Sequence, residues 1–272
     1  MIKDRGMVMI KVCVIGAAGK MGKTNIKIVS SDSETKLTGA IERKDNPFLG
    51  HDAGEVAGIG KIGVLIDSSL ENFIENCDVV VDFSYVESFE DNLSSVIKHS
   101  KAFVCGTTGI PANLIELAKK AGEKIPIIWA PNFSAGITLL NRLVEISAKT
   151  LDSSFDAEIV EIHHRMKKDA PSGTAIKFLK TLKEIYKSDN VIFGREGIIG
   201  ERPAGQIGVS TIRGGDVVGE HTVYFFGQGE RIELTHKASS RETFARGALR
   251  AAKFILKQGK GFYTMEQVLG LI

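Results

Sequence analysis

The chain has 272 residues, 43% of them hydrophobic and 25% charged, which suits one large globular domain or two modest ones. The formal net charge of +2 argues against a generally basic, nucleic-acid-binding surface, so any anion site must be local. Three widely spaced cysteines, Cys13, Cys77 and Cys105, argue against a disulfide framework or a zinc knuckle.

The first nine residues, Met1 to Met9, are mixed and charged and lack the long apolar run of a signal peptide, with Met7 and Met9 as alternative start residues. No stretch resembles a membrane-spanning segment. The sequence therefore predicts a cytoplasmic protein without a membrane partner.

The first half alternates short apolar strands with helices. Strands are predicted at residues 10–15, 36–42, 78–83, 102–105 and 126–130, and helices at 19–30, 68–76, 86–99 and 111–122. This alternation predicts an α/β fold with a Rossmann-like, doubly wound parallel sheet.

The pattern changes after about residue 133. Helices are predicted at 135–151, 173–186 and 240–257, strands at 157–163, 206–213, 219–227 and 230–237, and a mobile loop at 194–205. These runs predict an α+β domain with a mostly antiparallel sheet and helices on one face. We therefore expect a nucleotide-binding domain formed by residues 1–133 and 240–272 and a substrate-binding and oligomerisation domain formed by residues 134–239.

A glycine motif, Gly16-Ala-Ala-Gly-Lys-Met-Gly22, follows the first predicted strand and opens the first helix. Its glycines allow the backbone to approach a pyrophosphate at a helix N-terminus. Glu42 lies 20 residues beyond Gly22, where a carboxylate can bind ribose hydroxyls, and Arg43 next to it could bind a 2′-phosphate. The pair predicts tolerance of both NADH and NADPH, although Glu42 and Arg43 could also be ordinary surface charges.

Two later loops follow predicted strands at the same sheet edge. Gly106-Thr-Thr-Gly109 and Ala130-Pro-Asn-Phe-Ser134 place small and hydroxyl residues beyond strand ends, where α/β sheets bind ligands. Each loop alone fits ordinary capping; together they favour a cofactor site.

The segment Glu161-Ile-His-His-Arg-Met-Lys-Lys-Asp-Ala-Pro-Ser-Gly-Thr-Ala175 combines histidines and cations with a helix start. Pro171 suits the first turn of that helix, and Ser172, Gly173 and Thr174 would form an anion nest for a carboxylate or a phosphate. His163 and His164 point to opposite strand faces, so one of them could deliver a proton while both could not grip one metal. No metal is predicted; a solvated basic loop with a helix cap is the plain alternative.

This segment closely resembles the signature of the 4-hydroxy-tetrahydrodipicolinate reductases, also called dihydrodipicolinate reductases, of lysine and diaminopimelate biosynthesis. Further stretches resemble that family in the same order, so that the likeness covers nearly the whole chain: residues 14–22, 81–84, 106–109, 130–134, 213–222 and 235–241.

The resemblance implies NAD(P)H-dependent reduction of a small dicarboxylate, and a homotetramer built through the substrate-domain sheets. It implies that His163 is the proton donor and Lys167 a second catalytic proton donor, with His164, Ser172, Gly173 and Thr174 binding substrate. The implied cofactor contacts are Gly16, Ala17, Ala18, Gly19, Lys20, Met21, Glu42, Arg43, Gly106, Thr107, Thr108, Ala130, Pro131, Asn132 and Phe133.

Two other functions remain open on the sequence. A non-catalytic NAD(P)-binding sensor would bind nucleotide without turnover, and it would usually lack the pair His163 and Lys167. An aspartate dehydrogenase-like oxidoreductase is compatible with the cofactor motifs, but the segment 161–175 argues against it.

Overall fold

The computed structural model describes residues 9–272, which form two compact units. One unit contains the chain up to Phe133 together with Glu242–Gly270, and the other contains Ser134–Arg241. Met1 to Val8, including the alternative start Met7 and most of the segment judged not to be a signal peptide, lie outside the described residues.

The described residues form twelve strands and eight α-helices. The strands are β1 (Ile10–Ile15), β2 (Thr35–Ile41), β3 (Ile66–Asp67), β4 (Val79–Asp82), β5 (Ala102–Cys105), β6 (Pro126–Trp129), β7 (Asp156–His163), β8 (Val191–Phe193), β9 (Ile207–Arg213), β10 (Gly219–Gly227), β11 (Glu230–Ala238) and β12 (Gly261–Tyr263). The α-helices are α1 (Lys20–Ser31), α2 (Ala53–Ala57), α3 (Phe89–Lys98), α4 (Ala112–Ala121), α5 (Ala135–Leu151), α6 (Gly173–Tyr186), α7 (Glu242–Ile255) and α8 (Met265–Leu269).

The first unit is built on a seven-stranded parallel sheet in the order β12-β6-β5-β4-β1-β2-β3. The strand order reverses between β1 and β4, and open α/β sheets bind ligands beyond the carboxyl ends of strands at such a switch point. This architecture confirms the predicted Rossmann-like sheet.

Strand β1 shows why this sheet is buried on both faces. Val12 and Val14 pack into one hydrophobic cluster, with α1 and α7, while Cys13 and Ile15 pack into a second cluster, with α3 and α4. Successive side chains of a strand point to opposite faces, so a continuous apolar run fills both cores.

The second unit is built on a five-stranded sheet in the order β11-β10-β7-β9-β8. Strands β7, β10 and β11 pair antiparallel, whereas β9 pairs parallel with both β7 and β8. The α+β fold is confirmed, and the sheet is mixed rather than mostly antiparallel, because the chain returns to β9 through the α6 crossover. Helices α5 and α6 pack on one face.

Several short elements escaped the sequence prediction: α2, β3, β8, α8 and β12 have two to five residues each, too few to establish a hydrophobic period. Residues 68–76 hold two 3₁₀ turns, Leu70–Asn72 and Ile74–Asn76, in place of the predicted helix. Pro171 lies one residue before the N-cap of α6 and so outside its first turn.

The segment 194–205 contains no helix or strand, as predicted, and two arginines tie it to the sheet. Arg195 donates to both carboxylate oxygens of Glu158 at 2.7 and 3.1 Å. Arg202 donates to the carbonyl oxygen of Ala157 at 3.0 Å. Across residues 9–272, no helix has the length and apolar character needed to cross a membrane.

Candidate active site

The glycine loop between β1 and α1 requires glycine at both ends. Gly16 has a φ of +79°, and a Cβ there would lie 2.6 Å from the carbonyl oxygen of Phe83. A Cβ on Gly22 would lie 1.9 Å from the carbonyl oxygen of Gly16. The N-cap Gly19 gives no side-chain hydrogen bond to the first turn of α1. The backbone thus forms a tight turn whose first-turn amides have no capping side chain.

Glu42 and Arg43 follow β2 but occupy different environments. The Glu42 carboxylate is buried and accepts from the amides of Ala18 at 2.9 Å and Arg43 at 3.1 Å. Arg43 extends from the surface, with an ion pair to Asp45 at 3.1 Å and its guanidinium 5.9 Å from the Tyr85 ring centroid. Glu42 is therefore fixed to the glycine loop, whereas the Arg43 side chain makes its contacts at the surface.

The two other predicted cofactor loops also leave the carboxyl ends of strands. Thr107 is buried, and its carbonyl oxygen accepts from the Trp129 indole at 3.1 Å, while Thr108 is exposed. Ala130 and Phe133 are buried, Asn132 is half-buried and Pro131 is exposed. The Phe133 ring packs 5.7 Å from that of Phe83. Phe133 is thus part of the core here.

Asp82, at the end of β4, contacts the loop 106–109 and was not among the predicted site residues. Its buried carboxylate accepts from the Ser84 amide at 2.9 Å, Asn92 at 3.0 Å and the Thr107 hydroxyl at 3.4 Å. Burial raises its pKa, and these donors only partly offset the effect. The sequence did contain a sign of this residue, because an aspartate ends an otherwise apolar strand.

In the second unit, His163 is the last residue of β7 and lies on the same sheet face as Glu161. Strand side chains repeat every two residues, so positions 157, 159, 161 and 163 are all buried toward the helices. The Nδ1 of His163 contacts a carboxylate oxygen of Glu161. His164 follows the strand and is half-buried. The two histidines therefore differ in environment.

The Glu161 carboxylate connects three elements. Its second oxygen accepts from Arg213, the last residue of β9, at 2.9 Å and from the Ser172 amide before α6 at 3.2 Å. Glu161 has no exposed surface. The carboxylate is thus fully engaged inside the fold.

Lys167, the predicted second proton donor, precedes α6, and the predicted substrate-binding residues Ser172, Gly173 and Thr174 lie at its start. The Lys167 ammonium pairs with Asp169 at 2.8 Å. Gly173 is exposed, with open space where a Cβ would stand, and Thr174 is half-buried. Ser172 is buried as the N-cap: its hydroxyl oxygen accepts from the Ala175 amide at 3.2 Å and lies 3.0 Å from the His221 Nε2. The Ser172 hydroxyl, amide and carbonyl are therefore all engaged inside the fold.

The electrostatics of this cluster follow from burial and from its cations. Burial lowers the pKa of His163, Glu161 acts against that shift, and Lys167 and Arg213 add to it. Burial also pushes the pKa of Glu161 upward, but Arg213 and His163 outweigh it and hold the pKa below its usual value. Burial lowers the pKa of His221 to about 3, so that histidine is neutral.

Glu161, His163 and His221 present metal-ligand atoms within 4.8 Å of one another. These atoms are already engaged, since Glu161 contacts His163 and Arg213, and His221 contacts Ser172. A divalent ion would have to stand beside the Arg213 guanidinium. We therefore interpret the trio as a hydrogen-bonding cluster.

Sequence reasoning did not assign roles to Glu161, Arg213, Gly219 or His221. A signal existed for Glu161, because Glu-x-His in a strand puts both side chains on one face. The other residues come together through strand pairing, which the sequence alone does not give. Arg213 of β9 pairs with His163 of β7, and His221 of β10 pairs with Glu161 of β7.

Comparison with known proteins agrees with this architecture. A dihydrodipicolinate reductase from Paenisporosarcina sp. TG-14, with dipicolinate bound, superposes with a TM-score of 0.74 at 23% identity, covering 94% of this chain and 98% of that one. An amine dehydrogenase from Mycobacterium smegmatis gives a TM-score of 0.57 at 13% identity, covering 94% and 95%. These likenesses show a fold of two units, the first of which is a Rossmann-like α/β unit with a glycine loop.

Sequence relatives narrow the class to a family. The models of the dihydrodipicolinate reductase N-terminus and C-terminus match residues 10–133 and 136–269. Proteins named 4-hydroxy-tetrahydrodipicolinate reductase from Syntrophotalea carbinolica and Geotalea uraniireducens are 44% and 46% identical over 266 residues, covering 97% of this chain and 100% of each relative. The chain belongs to the dihydrodipicolinate reductase family.

Proposed function

We propose that the protein reduces 4-hydroxy-tetrahydrodipicolinate to tetrahydrodipicolinate with loss of water, using NADH or NADPH, in diaminopimelate and lysine biosynthesis. Family membership over both units carries this assignment. The cluster around His163 supplies the chemistry that the reaction needs: a proton donor beside cations that can hold a dicarboxylate.

The first unit would hold the dinucleotide. A Cβ at Gly16 or Gly22 would collide with backbone, so the loop fits a ligand that must approach the main chain closely. The holding residues would be the loop Gly16 to Met21, the carboxylate of Glu42 for ribose hydroxyls, Arg43 for a 2′-phosphate, and the loops 106–108 and 130–133. When bound, the reduced nicotinamide supplies the hydride.

The second unit, residues 134–241, would bind the substrate. Lys167, now paired with the exposed Asp169, would exchange that carboxylate for one of the substrate's. The amides of Gly173 and Thr174, at the start of α6, would hold the other carboxylate, together with His164. In this arrangement Lys167 binds a carboxylate and His163 delivers the proton.

We also propose a cytoplasmic homotetramer formed through the outer face of the five-stranded sheet, opposite α5 and α6. Val160, Ile162, Ile212, Tyr224 and Phe226 share this face by strand alternation and register. Ile212 and Phe226 are 47% and 38% exposed, and the rings of Tyr224 and Phe226 stack at 5.5 Å. Charged side chains such as Glu158 and Arg231 share the face, and an exposed apolar patch bordered by polar residues favours association.

A coupled assay tests the function. The substrate is generated from pyruvate and aspartate semialdehyde with a dihydrodipicolinate synthase, and loss of NADH or NADPH absorbance is followed for wild type and His163→Ala. We expect rapid oxidation by wild type and a fall of about 10²-fold or more in the variant, the usual contribution of a general acid.

His99→Ala is the matched control, because His99 pairs with Glu71 and Glu75 at the end of α3 in the other unit. It should retain wild-type rates. Nucleotide binding without oxidation by wild type would overturn the reductase assignment and favour a non-catalytic sensor.

A further inference from the structure

Strand pairing determines the surroundings of Glu161. Glu161 faces His221 in β10, and His163 pairs with Arg213 in β9. The Glu220–Ile162 pairing puts Gly219 beside His163. Three strands therefore bring a carboxylate, a guanidinium and two imidazoles to one buried sheet face.

The Glu161 carboxylate is held on both oxygens. One contacts the His163 Nδ1, and the other accepts from Arg213 at 2.9 Å and from the Ser172 amide at 3.2 Å. A buried carboxylate keeps its charge only when such partners compensate for lost hydration. Arg213 also donates to the carbonyl oxygen of Asp169 at 2.7 Å, which fixes the guanidinium in turn.

This geometry sets which nitrogen of His163 carries chemistry. A carboxylate only accepts hydrogen bonds, so the Nδ1 beside it must carry the hydrogen. Nε2 is then the nitrogen that gains and loses a proton. A Cβ at position 219 would lie 3.0 Å from Nε2, so the glycine there leaves that nitrogen uncovered.

We propose that Glu161 is the positioning residue for the proton donor: held by Arg213 and the Ser172 amide, its carboxylate fixes the Nδ1–H of His163 and stabilises the imidazolium. The proton transfer itself rests on the proposed function: a C–H bond forms at an enamine-like ring carbon of the substrate as the Nε2–H bond of His163 breaks. The product imidazole is neutral with hydrogen on Nδ1, and solvent restores the Nε2 proton.

The charged groups around His163 act in opposite directions. Burial disfavours the imidazolium of His163 most strongly. Arg213, from β9, and Lys167, from the loop after β7, disfavour it as well. His221 from β10 is neutral, with a pKa of about 3, and Asp169 is paired with Lys167. Of the groups that shift the pKa of His163, Glu161 alone raises it.

The test is an NMR titration of ¹⁵N-labelled histidine side chains in the free, full-length protein, with the His163 signals assigned by their absence from His163→Ala. In wild type we expect hydrogen on Nδ1 in the neutral ring. In Glu161→Gln the titration midpoint of His163 should move to lower pH, since the favourable charge is gone.

Kinetics gives a second readout. We expect kcat of Glu161→Gln to fall by about 10²-fold, with KM for substrate and cofactor nearly unchanged and the alkaline limb of the pH–rate profile moved to lower pH. Glu145→Gln is the control, because it also removes a carboxylate paired with basic side chains, Arg142 and Lys149 on α5. It should leave both readouts unchanged.

A neutral His163 ring with hydrogen on Nε2, or an unchanged midpoint in Glu161→Gln, would overturn the proposal. The first observation uses wild type, so it holds even when the variant fails to fold. Neither titration requires turnover. If wild type has no reductase activity, the proposed function is rejected. The positioning role is kept if wild type still shows the expected tautomer and Glu161→Gln still shows the lower midpoint.

Discussion

Gly219 has no side chain, and this leaves space beside the Nε2 of His163, the proposed proton donor. Its backbone is not in the left-handed region, so alanine is compatible with the strand at this position. The conflict arises only with His163, whose Nε2 would lie 3.0 Å from the added Cβ. A substitution of Gly219 by alanine therefore tests the position of His163 without straining the backbone.

We expect Gly219→Ala to lower kcat by about 10–100-fold by displacing or covering His163, with nucleotide affinity unchanged. Steady-state kinetics and nucleotide titration measure both. Gly259→Ala is the control, since a Cβ there meets open space. Wild-type kcat in Gly219→Ala would contradict the expectation that the added Cβ displaces or covers the His163 Nε2.

At the scale of the element, the residue that caps α6 also contacts the side chains of the candidate site. Ser172 caps the helix through its hydroxyl, contacts His221 with the same oxygen, and gives its amide to Glu161. One residue thus serves the helix, a neutral buried histidine and the carboxylate beside His163. The stability of α6 and the geometry of the cluster depend on each other.

Ser172→Ala should lower the free energy of unfolding by about 1–3 kcal/mol, because a cap is lost and a buried imidazole nitrogen loses its partner. Denaturant unfolding measures the change. Ser153→Ala, at an exposed serine, should have almost no effect. Equal stabilities of the two variants would contradict the capping role.

Long elements were predictable from the sequence, and the pairing of strands was not. Helices α5 and α6 were predicted at their observed bounds, because their apolar periods run for 17 and 14 residues. The glycine loop was predictable because few residues fit such a turn. The contact between Glu161 and Arg213 was not predictable, since the two residues are 52 positions apart and meet only through the β7–β9 pairing.

At the scale of the whole molecule, the proposed tetramer makes the outer sheet face an interface. Light scattering should give about four times the chain mass of 29.5 kDa. Phe226→Lys should reduce that mass, because a lysine ammonium would be buried in an apolar contact. Leu139→Lys, at a 45%-exposed position on α5, should not. A monomeric wild type, or a tetrameric Phe226→Lys, would contradict the proposed interface.

The first unit draws its core from both ends of the chain. Ala245, Leu249 and Ile255 of α7 pack in the same cluster as Val12 and Val14 of β1, and β12 pairs with β6. During synthesis, these late residues emerge only after all of the second unit. The five-stranded unit can therefore complete its core on the ribosome first, and the first unit acquires α7 and the edge strand β12 only after the second unit has been synthesised.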